Sequence, residues 1–126
     1  IQLKREKAMS LVLITHNLGV IAERAQNVAV MYAGRIVESA EVRSIFAHPK
    51  HPYTQGLLNS IPRVDRDETK KERLEAIPGL VPSLLDLPEG CKFFERCPYA
   101  FDRCSEKEPS LMERGSGHFV RCWLHE

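Results

Sequence analysis

Ser10-Leu11-Val12-Leu13-Ile14-Thr15 is a continuous apolar run rich in β-forming residues. A run of this kind suits a strand buried on both faces, as in a parallel α/β sheet. Upstream of it, the polar lead at residues 2–7 reads as the end of a preceding helix. Downstream, Leu18, Ile21, Ala22 and Ala25 recur at i, i+3, i+4 and i+7, which gives a short helix one apolar face. Asn17 stands just before that helix, where its side chain can accept bonds from amides that lack an intrahelical partner. Residues 28–32 form a second apolar strand, Ala33-Gly34 supply a turn, and residues 35–38 return as a third strand, so a hairpin is expected. Residues 41–47 predict a short helix that buries Val42, Ile45 and Phe46. The fold class is therefore α/β.

Pro49-Lys50-His51-Pro52 interrupts this regularity. Pro52 can open a helix, because its missing amide proton would go unused at the first helical position. Tyr53, Leu57, Leu58 and Ile61 line one side of that helix, and Pro62 ends it. Residues 63–75 carry five basic and five acidic side chains, the composition of a solvated linker or surface helix rather than a binding patch. Pro78, Gly79, Pro82, Pro88 and Gly90 make residues 77–90 an extended loop. The tail after Gly90 has few regular signals, so something other than a large apolar core is expected to hold it. The chain divides into residues 1–47, residues 48–90 and a loop-rich four-cysteine extension at 91–126.

Composition narrows the function. The 126 residues are 43% hydrophobic and 28% charged with a formal net charge of +1. A nucleic-acid partner would call for a basic excess gathered on one face, and the tail offers six Lys or Arg against six Asp or Glu. No stretch approaches the roughly 20 apolar residues that span a bilayer. The first residue is Ile1 and no secretory leader is evident, so the chain reads as a fragment from a reducing compartment.

Two sets of residues carry candidate chemistry. His16 follows the apolar run and precedes a capped helix, and in open α/β sheets ligands bind where strands end and loops converge. A histidine there can exchange a hydrogen bond with a phosphate or a water, or simply serve the helix entry. His48 and His51, beside prolines, serve turn geometry or helix entry. Cys91, Cys97, Cys104 and Cys122 are separated by five, six and seventeen residues. None forms the Cys-x-x-Cys of a zinc ribbon or a thioredoxin-like site. The spacing leaves open a four-iron, four-sulfur cluster, a zinc site with His118 and His125 as bystanders, or disulfides and free thiols.

Leu13-Ile14-Thr15-His16-Asn17-Leu18-Gly19-Val20, followed by Val30-Met31-Tyr32-Ala33-Gly34-Arg35-Ile36-Val37-Glu38, resembles the ATPase subunits of ABC transporters. His48-Pro49-Lys50-His51-Pro52-Tyr53-Thr54-Gln55-Gly56-Leu57-Leu58 is similar to the His-Pro-Tyr segment that follows the ATPase core in oligopeptide and dipeptide importers. Ile77-Pro78-Gly79, Leu87-Pro88-Glu89-Gly90-Cys91 and Arg96-Cys97-Pro98-Tyr99-Ala100 continue the resemblance, which covers nearly the whole chain from about Leu11. It implies the C-terminal end of an ABC ATPase domain followed by an extension. It also implies that His16 is the switch histidine meeting the γ-phosphate of ATP, and that the four cysteines hold a four-iron, four-sulfur cluster. Asn17 stands where the family commonly has Asp, and either residue caps a helix.

The implied partners are a second ATP-binding subunit and transmembrane permease subunits, with no direct contact to the peptide, at the cytoplasmic face of the membrane. The intact protein would use ATP and Mg²⁺. No Gly-x-x-x-x-Gly-Lys-Ser/Thr loop is present, so this chain alone is expected to be inactive. The alternative is a small metal-binding interaction module unrelated to ATP.

Overall fold

The computed structural model describes residues 9–61 and 76–126. The expected helix end at residues 2–7 and the charged run at 63–75 lie outside the described residues. Among the described residues, helix α1 (Leu18–Arg24) leads into strand β1 (Asn27–Tyr32), strand β2 (Arg35–Glu41), helix α2 (Val42–Ala47) and helix α3 (Pro52–Asn59). The tail adds a 3₁₀ turn (Phe94–Arg96), helix α4 (Asp102–Glu106), strands β3 (Met112–Glu113) and β4 (Phe119–Val120), and a last 3₁₀ turn (Trp123–His125). The strands form one four-stranded sheet in the order β1-β2-β4-β3, with every pairing antiparallel.

Local chemistry accounts for the elements of the first half. Asn17 Oδ1 accepts from the Val20 amide at 3.2 Å and starts α1 as expected. Ala33 and Gly34 both have positive φ, at 44° and 76°. That pair of left-handed residues gives the two-residue turn whose twist matches its strands, and glycine accepts it without strain. β2 runs three residues beyond the expected end, to Glu41, because β1 still pairs with it out to Asn27↔Glu41. Pro52 opens α3, and His51 Nδ1 caps it by accepting from the Tyr53 amide at 3.1 Å.

The first strand expected from sequence is absent. Residues 10–15 take no part in the sheet, and Leu11, Val12 and Ile14 are 74%, 85% and 95% exposed. A strand buried on both faces needs a neighbour on each edge, and among the described residues nothing pairs with this run. The sheet that does form is built entirely from later segments and is antiparallel rather than parallel.

The tail completes this sheet. β4 pairs with β2 through Glu38↔Val120 and Ser39↔Phe119, and the Arg121 amide donates to the Val37 carbonyl at 2.8 Å. Phe93 enters the small core of Tyr32 and Val37 at 2% exposure. Its ring meets Tyr32 edge-on with centroids 5.1 Å apart and Tyr53 at 5.5 Å. Val37 and Glu38 point to opposite faces of β2, yet both are buried, so the sheet is covered on both sides there.

Candidate functional site

Glu38 sits at the centre of the best-defined polar site. Its carboxylate is fully buried, which is costly unless both oxygens find donors. Oε1 accepts from the Lys50 amide at 2.7 Å and meets His118 Nε2 at 2.6 Å. Oε2 accepts from the His51 amide at 3.0 Å. One carboxylate on β2 therefore holds the Pro49-Lys50-His51-Pro52 bend on one side and the tail on the other.

Lys50 is fixed at two further atoms. Besides its amide on Glu38, its carbonyl is bonded by His125 Nε2 at 2.9 Å, and its ammonium donates to the Arg114 carbonyl. His51 is almost fully buried. Burial drives its pKa down from 6.5 to about 4, with the negative Glu38 opposing that shift in part and His125 adding to it. The ring is therefore neutral at pH 7, as its role as an acceptor for the Tyr53 amide requires.

The proline-rich loop is pinned by Arg96, which the sequence singled out only as part of a motif. Its guanidinium donates to the Pro78 carbonyl at 2.8 Å, the Ile77 carbonyl at 3.1 Å and the Tyr32 hydroxyl at 3.2 Å. Three bonds from one planar fork order a segment that has no regular structure of its own.

All four cysteines are free thiols placed at the ends or inside of short turns. Cys97 and Cys122 cap the two 3₁₀ turns, Cys104 lies buried in α4, and Cys91 precedes the first 3₁₀ turn. Gly90 lets Cys91 reach Cys104: a Cβ there would stand 2.3 Å from the Cys104 carbonyl oxygen, and the Cys91 amide donates to that same oxygen at 2.7 Å. Burial raises the pKa of Cys91 and Cys97 and pushes Cys122 up to about 11. Cys122 also feels the charge of Cys91, Cys97 and Cys104, while Cys91 feels Cys97 and Cys104. The four sulfurs thus lie within electrostatic reach of one another.

A repeated local bond opposes that rise. Backbone amides two residues ahead, at Phe93, Tyr99 and Leu124, bond Cys91, Cys97 and Cys122 respectively and favour their thiolate forms. Among the described residues, however, no three His, Cys, Asp or Glu side chains are gathered as a set that could hold a metal ion. His118 and His125 face Glu38 and Lys50 rather than the sulfurs in the bonds they make.

His16 is exposed and sits one residue before the α1 cap, where the Asn17 amide donates to Thr15 Oγ1 at 3.0 Å. The cap belongs to Asn17, which leaves the His16 ring free of that duty. Among the described residues no helix is long and apolar enough to cross a membrane.

Comparison with known proteins now bears on these residues. Residues 37–104, more than half of the chain and including Glu38, the Lys50 bend, Arg96 and three of the cysteines, match the family described as oligopeptide/dipeptide transporter, C-terminal region. Over 123 residues the chain is 51% identical to the probable peptide ABC transporter ATP-binding protein y4tR of Sinorhizobium fredii, covering 98% of this chain and 36% of that protein. It is 51% identical to the oligopeptide transport ATP-binding protein AppD of Bacillus subtilis, over 93% of this chain and 35% of the relative. It is 46% identical to the dipeptide transport ATP-binding protein DppD of Escherichia coli, over 97% of this chain and 36% of the relative. The chain spans about a third of the length of the curated relatives it matches. With most of β2, the His-Pro bend and three of the four cysteines inside the matched region, this chain belongs to the C-terminal region family of the oligopeptide and dipeptide transporters.

Proposed function

We propose that this chain is the C-terminal part of the ATP-hydrolysing subunit that powers peptide import across the cytoplasmic membrane. The observation that carries the reading is the family match over residues 37–104, reinforced by relatives whose names all describe ATP-binding subunits of peptide transporters. In the assembled transporter a second ATP-binding subunit would close on this one around ATP and Mg²⁺, and permease subunits would carry the motion through the membrane. The subunit would then lie peripherally on the cytoplasmic face, with no contact to the peptide and no nucleic acid bound.

His16 is the residue we assign to the γ-phosphate. Its exposure and its place at a helix entry leave it able to meet a phosphate presented by another surface. In the intact subunit, His16→Ala should leave ATP binding nearly intact and lower turnover at least ~10²-fold, the scale of losing a positioned acid–base or charge-stabilising group. Near-normal hydrolysis by that variant would remove His16 from the reaction. The 126-residue chain alone, without a phosphate-binding loop, should not hydrolyse ATP.

Cys91, Cys97, Cys104 and Cys122 are proposed to bind a four-iron, four-sulfur cluster. Support comes from four free thiols within one short tail, the number of thiolates that a four-iron, four-sulfur cluster requires. When bound, the cluster would cross-link the tail. Intact protein purified without oxygen should be brown with about four irons per chain, and any single Cys→Ser change should bleach it. Colourless protein holding one zinc would defeat the cluster. A self-standing metal-binding module unrelated to ATP is the weaker reading, because β4 pairs with β2 inside the sheet.

A further inference from the structure

We infer that Glu38 and Lys50 form a two-way latch through which the tail and the entry of α3 set each other's conformation. The inference goes beyond the transport reading and does not depend on what the cysteines hold. The latch has three layers. Glu38 joins β2 to the bend by accepting the Lys50 and His51 amides, and joins β2 to the tail by its 2.6 Å contact with His118. Lys50 then reaches the tail twice more, through its carbonyl on His125 and its ammonium on the Arg114 carbonyl. His51, which caps α3, makes a further backbone bond to Arg121.

These bonds do not act independently. Glu38 Oε1 serves both Lys50 and His118, so a shift of the tail that withdraws His118 leaves a buried oxygen under-satisfied. The carboxylate must then move or take up water, and either change disturbs the amides that begin α3. The reverse path runs from Lys50 to Arg114, whose amide donates to the His118 carbonyl at 2.7 Å, and so back to His118 itself. Removal of one member should therefore be felt across the junction, and coupling between two sites is reciprocal. The tail would act as an effector of the His-Pro segment, and Glu38 as the positioning residue between them.

Amide hydrogen exchange on the intact subunit tests this. His118→Ala should speed exchange of the Lys50, His51 and Tyr53 amides by at least ~10-fold, although the substitution lies in the tail. His118→Gln keeps a donor for Glu38 and should restore most of the protection. Lys50→Met keeps the backbone bonds, removes only the ammonium, and should speed exchange of the Arg114 and His118 amides. Acceleration confined to the substituted side of the junction would overturn the latch, as would a His118→Gln variant no better protected than His118→Ala. Should His118→Ala fail to fold, Lys50→Met alone decides, with faster tail exchange supporting the latch and unchanged tail exchange refuting it.

Discussion

Residues 10–15 and the tail from residue 91 make an instructive pair. The first holds four successive aliphatic side chains, Leu11, Val12, Leu13 and Ile14, and all are exposed. The second is poor in regular structure and carries many charges, yet Phe93, Cys104, Val120 and Trp123 are buried in it. Hydrophobicity alone does not decide burial. Among the described residues the apolar run has no strand partner, whereas the tail gains a strand partner in β2, three bonds made by Arg96 and a carboxylate waiting for His118. Trp123 shows the same logic on a smaller scale. Its indole donates to the Lys107 carbonyl at 2.9 Å while Arg103 stacks 3.7 Å over its ring.

The sharpest way to break the contrast is Phe93→Ala. Removing that ring from among Tyr32, Tyr53 and His51 should cost about 3–5 kcal/mol by denaturant unfolding. Protection should be lost in the tail and β2 while residues 10–24 are unchanged. A loss near zero would mean that polar contacts hold the tail by themselves.

Acid should come next in size. His51 is neutral when folded, with a pKa of about 4 against 6.5 when unfolded. The unfolded chain therefore takes up a proton first, and stability present above pH 6.5 is lost as the pH falls toward 4. The loss should approach about 3 kcal/mol, since one pKa unit is about 1.4 kcal/mol. A pH titration of stability on wild type and His51→Asn checks it: the variant should show a flatter profile across that window.

Gly90→Ala should follow at roughly 1–3 kcal/mol. The new methyl group would press on the Cys104 and Ser105 carbonyl oxygens, 2.3 Å and 2.5 Å away, and separate Cys91 from Cys104. Thermal unfolding should register the change, with faster proteolysis between residues 91 and 106. The mildest case is Asn17→Ala, worth about 1 kcal/mol of helix stability through its cap on Val20. Its effect on exchange should stay within α1 and leave the tail untouched. If the tail responds, the two regions are less separate than their contacts suggest.

Much of the first half was legible because its signals are local. Asn17, Ala33-Gly34 and Pro52 each act on the backbone within a few residues, and each does in the structure what its chemistry predicts. His51 likewise turned out to serve helix entry. The misreading of residues 10–15 came from judging a strand by its own side chains, when a strand exists only with its neighbours. The Glu38 junction was missed for the opposite reason. An acid at the inner position of a strand was a usable signal, but its partner His118 lies 80 residues away and nothing local points to it. Arg96 escaped notice because its acceptors are backbone carbonyls, which no sequence pattern marks.

That long separation between Glu38 and His118 also sets a timetable. During synthesis the β1–β2 hairpin can close as soon as Glu41 is made, whereas β4 cannot reach β2 until the chain has grown past Val120. At roughly 5–20 residues per second, the 80 residues between Glu38 and His118 take roughly 4–16 s to appear. Throughout that interval the carboxylate must remain hydrated, since enclosing it without its donors would cost several kcal/mol. β2 therefore waits, wet and open along one edge, until β4 has been made and can pair with it.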